Sequence, residues 1–131
     1  MLTQETVPHI RKGGSIVYVA SVGGYLPFAQ IGAYSISKTA LFGLTRTLAQ
    51  ECGPLGIRVN CLAPGLIKTD FSAYLFEDKK YLTNFKEALP LKRTGKTEEM
   101  AGTVSFMLDQ RDASYLTGET IAVTGGMMSH L

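Results

Sequence analysis

A long apolar run is missing from this sequence, which excludes a transmembrane helix of about 20 residues. The first residues also lack a basic start followed by an apolar stretch, so we expect no secretory signal there. Basic residues are scattered rather than clustered and the net charge is only +2, which argues against a nucleic-acid-binding protein. Charged residues make up 18% and apolar residues 45% of the 131 residues, a balance typical of one soluble globular domain and not of a disordered chain.

Cysteine is also scarce: the chain has two, Cys52 and Cys61, and both stand among apolar residues. Their spacing is not that of metal ligands, so we expect no metal site. Free, buried thiols in a reducing compartment are the simplest interpretation.

Alternating hydrophobic patterns predict an α/β protein. Strands are predicted at 15–20, 57–63 and 120–123, and helices at 2–11, 33–52, 71–88 and 97–108, the last with Thr97 as its N-cap. A strand, a long helix and a second strand form a βαβ unit, in which the strands run parallel and the connection is right-handed. The strands are continuous apolar runs, so helices should cover both faces of the sheet.

The longest predicted helix has apolar residues at steps of three and four, which indicates an amphipathic helix that ends at Gly53-Pro54. The apolar positions are Ala33, Ile36, Ala40, Leu41, Leu44 and Leu48.

Residues with reactive side chains lie where a ligand should bind. Ser21 and Gly65 each follow a predicted strand, and parallel strands end at the same edge of a sheet, where ligands of such folds bind. Tyr34 and Lys38 lie one helical turn apart, so the positive charge of the lysine favours the ionised tyrosine. Such a tyrosine can give or take a proton, and the Ser21 hydroxyl can bond the same carbonyl oxygen. The pattern predicts proton transfer to or from an oxygen while another group moves hydride.

Each of these features alone has an ordinary explanation. A Tyr-x-x-x-Lys pair occurs on many solvated helices, a serine after a strand is commonly a turn residue, and Gly23-Gly24 indicates a loop. Their order along the chain, rather than any one of them, favours a catalytic site.

The ordered set resembles the short-chain dehydrogenase/reductase family. The segments that carry the resemblance are Gly14–Ser21, Tyr34–Ala40, Ile57–Gly65 and Ala113–Glu119. The resemblance implies a Rossmann-like fold, a doubly wound parallel sheet with helices on both faces. Residues 1–131 would form the C-terminal catalytic half of that single domain, with the dinucleotide-binding half absent.

The resemblance also implies roles for individual residues. Tyr34 would be the proton donor or acceptor, Lys38 would bind the nicotinamide ribose, and Ser21 would orient the substrate carbonyl. Beside Tyr34 and Lys38, the implied contacts to the nicotinamide end of the cofactor are Pro64, Gly65, Ile67 and Thr69.

Assembly is a further implication of the resemblance. Family members form dimers or tetramers through two helices, here 2–11 and 33–52, and through the C-terminal strand region. We therefore expect a homo-oligomer.

Three segments are most similar to a branch of the family that contains NADP(H)-dependent carbonyl and retinal reductases. They are Lys38–Leu41, Asn60–Thr69 and Asp112–Tyr115. The branch implies NADP as cofactor, with NAD as the alternative, and a small carbonyl or alcohol substrate. Its members commonly end in a peroxisomal tripeptide, and this chain ends in Ser129-His130-Leu131, a variant of Ser-Lys-Leu. A peroxisomal location is expected, with the cytoplasm as the alternative.

The glycine-rich turn that binds the pyrophosphate in this family is missing, because neither G-x-x-x-G-x-G nor G-x-G-x-x-G follows a strand here. Two hypotheses follow. The chain represents an oxidoreductase that is complete only in a longer form, or it is a catalytically dead truncated chain that acts only through oligomerisation with full-length subunits. We expect the chain alone to reduce no carbonyl and to expose the edge of the strand at 15–20.

An aromatic segment follows the second strand. It contains Phe71, Tyr74, Phe76, Tyr81 and Phe85. These rings, Phe71 first among them, could cover an apolar substrate, but packing of a helix against the sheet explains the pattern equally well.

Overall fold

The computed structural model of the chain describes residues 2–26 and 28–128. The helices are α1 (Leu2–Thr6), α2 (Gly32–Cys52), α3 (Ala73–Glu77), α4 (Lys79–Ala88) and α5 (Glu98–Leu108), and the strands are β1 (Ser15–Val19), β2 (Arg58–Pro64) and β3 (Thr120–Val123). Short 3-10 turns cover Val7–His9, Val22–Gly24, Gly53–Leu55 and Asp70–Ser72. None of the described helices is long and apolar enough to cross a membrane. The C-terminal tripeptide at 129–131 lies outside the described residues.

The three strands form one parallel sheet in the order β1-β2-β3, which confirms the predicted parallel arrangement. Val19 at the end of β1 pairs with Leu62 on β2, and Cys61 on β2 pairs with Thr120 on β3. β2 is therefore the central strand, and it is buried over nearly its whole length. Because the strands are parallel, their carboxyl ends meet at one edge of the sheet.

Helices cover both faces of this sheet, as predicted. On one face, Ala49 and Cys52 of α2 pack against Val59 of β2. On the other face, the Arg58 guanidinium donates to the carbonyl oxygen of Met107 near the end of α5, at 2.8 Å. Successive side chains of a strand point to opposite faces, so neighbouring residues of β2 contact different helices.

Two polar side chains of β2 hold the segment that precedes β3. The fully buried Asn60 donates to the Leu116 carbonyl oxygen at 2.8 Å and accepts from the Glu119 amide at 3.2 Å. Arg58 donates to the carbonyl oxygens of Leu116 at 3.2 Å and Asp109 at 3.1 Å. Burial lowers the pKa of Arg58, although the Asp109 carboxylate acts in the opposite direction. Hydrogen bonds of this kind offset the cost of burying polar groups.

β1 lies at an edge of the sheet. The Gly14 carbonyl accepts from Arg58 N and the Ala20 amide donates to Leu62 O, so alternate main-chain groups of β1 face β2. The main-chain groups of residues 15, 17 and 19 therefore face away, and no described strand pairs with them. The sequence predicted an uncovered edge at this strand, and among the described residues no strand pairs with it.

The buried side of α2 differs from the predicted apolar face. The buried positions are Ser35, Thr45, Ala49 and Cys52. Of the predicted positions, Leu41, Leu44 and Leu48 are half-buried, whereas Ala33, Ile36 and Ala40 are exposed. The small side chains at the buried positions let α2 lie close to the sheet. The helix was predicted correctly, but its buried face was predicted only in part.

The helix predicted at 71–88 is broken into three pieces. A 3-10 turn and α3 come first, and the chain then leaves helical geometry at Asp78, where ψ is 94°. The Asp78 carboxylate accepts from the Tyr81 amide at 2.9 Å and caps the start of α4. The aromatic periodicity did not reveal this second helix start.

Thr97 lies just before α5, as predicted, but its side chain makes no cap bond. The Thr97 hydroxyl instead donates to Glu98 Oε1 at 2.9 Å. The Glu99 carboxylate accepts from the Lys96 amide at 2.9 Å, and this bond satisfies a main-chain donor at the helix start. The predicted N-cap function of Thr97 is therefore wrong.

Both cysteines are free and buried, as predicted. Burial raises the pKa of the Cys52 and Cys61 thiols. Thiols of raised pKa are weak nucleophiles, so both behave as small apolar core residues.

Candidate active site

Ser21 follows β1 and begins the 3-10 turn Val22–Gly24. Its backbone is extended, and its Oγ accepts a hydrogen bond from the Gly23 amide at 3.0 Å. A serine at such a turn start satisfies a main-chain donor that would otherwise lack a partner. The bond also fixes the position of the Ser21 hydroxyl at the carboxyl edge of the sheet.

Tyr34 meets Ser21 across Gly23. A Cβ atom built on Gly23 would lie 3.4 Å from Ser21 Oγ and also 3.4 Å from Tyr34 Cε1. The serine hydroxyl and the tyrosine ring therefore border the same small space, which stays open because residue 23 has no side chain. The structure therefore places Ser21 and Tyr34 close together, as the sequence predicted from the strand end and the following helix.

Lys38 lies one turn further along α2. Its Nζ is 5.6 Å from the centroid of the Tyr34 ring and donates to the Val19 carbonyl oxygen at 3.0 Å. Val19 is the last residue of β1, two positions before Ser21. The three predicted catalytic residues thus surround one end of β1.

Aromatic rings border the same space. The Phe71 ring lies 6.1 Å from the Tyr34 ring, centroid to centroid, and the Phe71 side chain is 76% exposed. Tyr81 and Phe85 pair with each other instead, at 6.0 Å. Of these three aromatic residues, Phe71 is the one whose ring lies beside Tyr34, and its contact with a substrate stays a prediction.

Phe28 was not predicted as a site residue. Its Cδ2 lies 3.8 Å from the Cβ position built on Gly23, so the ring flanks the space between Ser21 and Tyr34. The available signal was its place in the loop that joins the two predicted residues.

The loop after β2 carries the other predicted site residues, and close packing determines its course. Gly65 donates its amide to Val123 O at 2.9 Å, and a Cβ atom on Gly65 would lie 2.9 Å from Thr124 Cα. A side chain at this position would force the ends of β2 and β3 apart. Glycine is therefore required where the loop leaves Pro64.

Thr69 and Ile67 are held at the end of this loop by Ser72. The Thr69 side chain and main chain both bond Ser72 in a reciprocal capping box. The Ser72 hydroxyl also donates to the Ile67 carbonyl at 2.6 Å. Phe71 belongs to the same turn, so this turn also places the Phe71 ring beside Tyr34.

Comparison with known proteins identifies the family of this chain. A family model described as Enoyl-(Acyl carrier protein) reductase matches residues 1–128. The chain belongs to the short-chain dehydrogenase/reductase family. Dehydrogenase/reductase SDR family member 4 of Bos taurus is 53% identical over 133 residues, which span 100% of this chain and 47% of that protein. The chain spans about half the length of the curated relatives it matches.

Solved structures of similar proteins contain nicotinamide cofactors. A putative 2-deoxy-d-gluconate 3-dehydrogenase from Agrobacterium tumefaciens with bound NADP is 30% identical, with a TM-score of 0.88 over 98% of this chain and 51% of that one. A 4-hydroxyisoleucine dehydrogenase complexed with NADH is 30% identical, with a TM-score of 0.90 over 99% of this chain and 54% of that one. The parallel sheet of this short-chain dehydrogenase/reductase is thus Rossmann-like, and the chain covers part of that fold.

The residues present fit the nicotinamide end of such a cofactor. The Lys38 ammonium has three N–H groups, and its bond to Val19 uses one of them, so it has further donors that a ribose hydroxyl could accept from. Thr69, in the loop that follows β2, begins the turn at Asp70–Ser72. The same turn contains Phe71, whose ring lies next to Tyr34. Cationic and hydroxyl donors at this edge suit a sugar bearing hydroxyl groups.

Proposed function

We propose that this chain is the catalytic part of an NADP(H)-dependent oxidoreductase that interconverts a carbonyl compound (a ketone, an aldehyde or a retinoid) and its alcohol. The observation that carries the proposal is the common position of Ser21 Oγ and the Tyr34 ring beside Gly23. Lys38, one turn away, places positive charge beside them.

Ser21 acts as a hydrogen-bond donor to the substrate. A hydroxyl has one proton to donate and two lone pairs that accept. The Gly23 amide already donates to Ser21 Oγ, so the serine proton is available to a carbonyl oxygen in the space beside Tyr34. This bond would orient the carbonyl and polarise it.

Tyr34 transfers the proton. In the direction of reduction, the phenol O–H donates to the carbonyl oxygen as that oxygen gains negative charge, and in the direction of oxidation the phenolate accepts the alcohol proton. The ammonium of Lys38 places a positive charge 5.6 Å from the centroid of the Tyr34 ring. When bound, the nicotinamide supplies or accepts the hydride.

Lys38, Thr69 and the loop from Pro64 to Ile67 would hold the nicotinamide end of the cofactor. The preference for NADP over NAD rests on the similarity to NADP(H)-dependent reductases, and solved relatives contain either cofactor. Phe71 and Phe28 would cover an apolar substrate, since both rings border the space beside Tyr34 or Gly23.

A chimera tests the proposal. The part of the Bos taurus relative that the match leaves uncovered is fused before residue 1, and NADPH oxidation is followed with a reactive diketone. We expect the chimera to show turnover that requires Tyr34. Residues 1–131 alone serve as the comparison sample, for which we expect no turnover. Turnover that is unchanged in the Tyr34→Phe chimera would show that the chemistry takes place elsewhere.

A second candidate function is assembly without catalysis, in which the chain binds full-length subunits. The observation that favours it is Ile36, a large apolar side chain that is 73% exposed on α2. Light scattering of residues 1–131 mixed with the full-length chimera should then show a mixed oligomer that is lost in Ile36→Lys but not in Gln50→Lys on the same helix. Absence of a mixed oligomer with the wild-type chain would exclude this function. The peroxisomal or cytoplasmic location stays a prediction from residues 129–131.

A further inference from the structure

A segment outside the motifs supports the loop after β2. Residues 89–96, here named the strap, join α4 to α5 and cross the carboxyl edge of the sheet. The Gly95 amide donates to Leu66 O at 3.0 Å, and the Lys68 amide donates to Gly95 O at 3.3 Å. The strap therefore pairs with the loop on both sides of Ile67, as a short parallel bridge.

Gly95 also sets where the Ile67 side chain can lie. A Cβ atom on Gly95 would lie 2.4 Å from Ile67 Cδ1, which is far inside van der Waals contact. The close atom is the end of a flexible side chain, so a methyl group on residue 95 would move the Ile67 side chain rather than stop the chain from folding. Glycine at residue 95 thus decides the position of a residue implied to touch the nicotinamide.

An ion pair anchors the strap to α5. Arg93 donates to both carboxylate oxygens of Glu99, at 2.8 and 2.6 Å, in a bidentate arrangement. Glu99 also accepts from the Lys96 amide at 2.9 Å, so one carboxylate holds both sides of Gly95. At the other end of the strap, the Leu91 amide donates to Gly125 O at 3.2 Å.

A cavity of about 70 Å³ lies between the loop, the strap and α5, and Leu66, Ile67, Met100 and Val123 contribute to its lining. Because a cavity provides no contacting atoms, the bonds from Gly95 and the ion pair behind them support the loop on this side, in addition to the hydrogen bond that Ser72 donates to the Ile67 carbonyl.

We propose that Arg93, Gly95 and Glu99 are positioning residues that hold Ile67 and Lys68 in place and so set the affinity for the nicotinamide end of the cofactor. This inference rests on the proposed function, because the loop contacts a nicotinamide only if that function is correct. None of the three residues needs to touch the cofactor.

The test uses residues 1–131 and reduced nicotinamide mononucleotide, the half of the cofactor that this loop would contact. Gly95→Ala should weaken binding at least about threefold, the order of effect of one displaced apolar contact. Gly102→Ala on α5 is the matched control, since a Cβ atom there meets nothing within 4 Å. Equal binding by both glycine variants and the wild type would overturn the inference while leaving the proposed function intact.

Amide hydrogen exchange tests the ion pair without any cofactor. Glu99→Gln should speed exchange of the Lys68 amide at least about threefold, because weakening the Arg93–Glu99 ion pair lets the strap separate from the loop more often. Glu98→Gln is the matched control on the neighbouring residue. Unchanged exchange in Glu99→Gln would overturn the role of the ion pair. Absence of nucleotide binding by the wild type would overturn the effect on affinity, whereas the proposed function is tested separately by the chimera. Circular dichroism of each variant confirms that it is folded.

Discussion

The ammonium of Lys38 lies 3.0 Å from the carbonyl oxygen of Val19, on the edge of β1 that no described strand covers. One side chain of α2 is thereby tied to β1, the strand that precedes Ser21. The bond holds the Lys38 charge beside Tyr34 without any ligand. The proposed function therefore assigns this lysine a part in both cofactor binding and proton transfer.

Lys38→Ala should impair cofactor binding and turnover together. The substitution removes the proposed ribose donor and the positive charge beside Tyr34, and loss of a charged hydrogen bond corresponds to about tenfold weaker binding. Cofactor fluorescence and steady-state kinetics of the chimera measure the two effects. Lys79→Ala on α4 is the surface control, and loss of turnover with normal cofactor affinity would contradict the role in binding.

Tyr34→Phe should separate the same two effects. The ring remains against Gly23 and Phe71, but the proton donor is gone, so turnover should fall about a hundredfold or more while cofactor affinity stays nearly unchanged. The same fluorescence titration and kinetics, run beside Lys38→Ala, provide the comparison. Weakened cofactor binding in the phenylalanine variant would indicate a structural rather than a catalytic defect.

Arg58→Lys should destabilise the fold by about 2 kcal/mol, because a single ammonium cannot replace a guanidinium that bonds several buried carbonyl groups. The carbonyl oxygens concerned are those of Met107, Asp109 and Leu116. Urea denaturation followed by circular dichroism measures the free energy of unfolding. Arg46→Lys on the exposed side of α2 is the control, and an equal effect of both substitutions would contradict this account.

Ser35→Ala should stabilise the protein by up to about 1 kcal/mol. The Ser35 hydroxyl is buried and has no hydrogen-bond partner among the described residues. Ser37→Ala on the same helix controls for helix propensity, because the Ser37 hydroxyl donates to the Tyr34 carbonyl at 2.7 Å. A loss of stability in Ser35→Ala relative to Ser37→Ala, measured by urea denaturation, would show that the hydroxyl has a favourable partner.

Acid should weaken the anchor of the strap. Hydrogen bonds from Arg93 and the Lys96 amide lower the pKa of Glu99 from 4.5 to about 2. A carboxyl group whose pKa is lower in the folded than in the unfolded state stabilises the fold above its unfolded pKa, and this contribution disappears as the pH falls from about 4.5 towards 2. The difference in thermal midpoint between wild type and Glu99→Gln should therefore shrink over that range, and a difference independent of pH would contradict it.

Local sequence patterns predicted the strands and helices well where a residue spacing is typical of only one kind of secondary structure. The apolar run ending at Val19 and the three-to-four-residue steps before Cys52 each match an element of the structure within about two residues. The spacing of Tyr34 and Lys38 predicted that they share a side of α2, and the parallel strands predicted that Ser21 lies at the same edge of the sheet. The break at Asp78 was missed because the aromatic residues on both sides of it have the same periodicity.

The sequence by itself determined the strands, the long helix and the family, since each depends on residue types at short, regular spacings. Only the tertiary structure decided that Ile36 faces outward while Ser35 is buried, that Phe28 flanks the space beside Tyr34, and that Gly95 supports Ile67. The physical reason is that short-range spacing sets the local backbone period. Which side of an element is buried depends instead on what packs against it, and Gly95 and Ile67 come into contact only after the strap crosses the sheet edge.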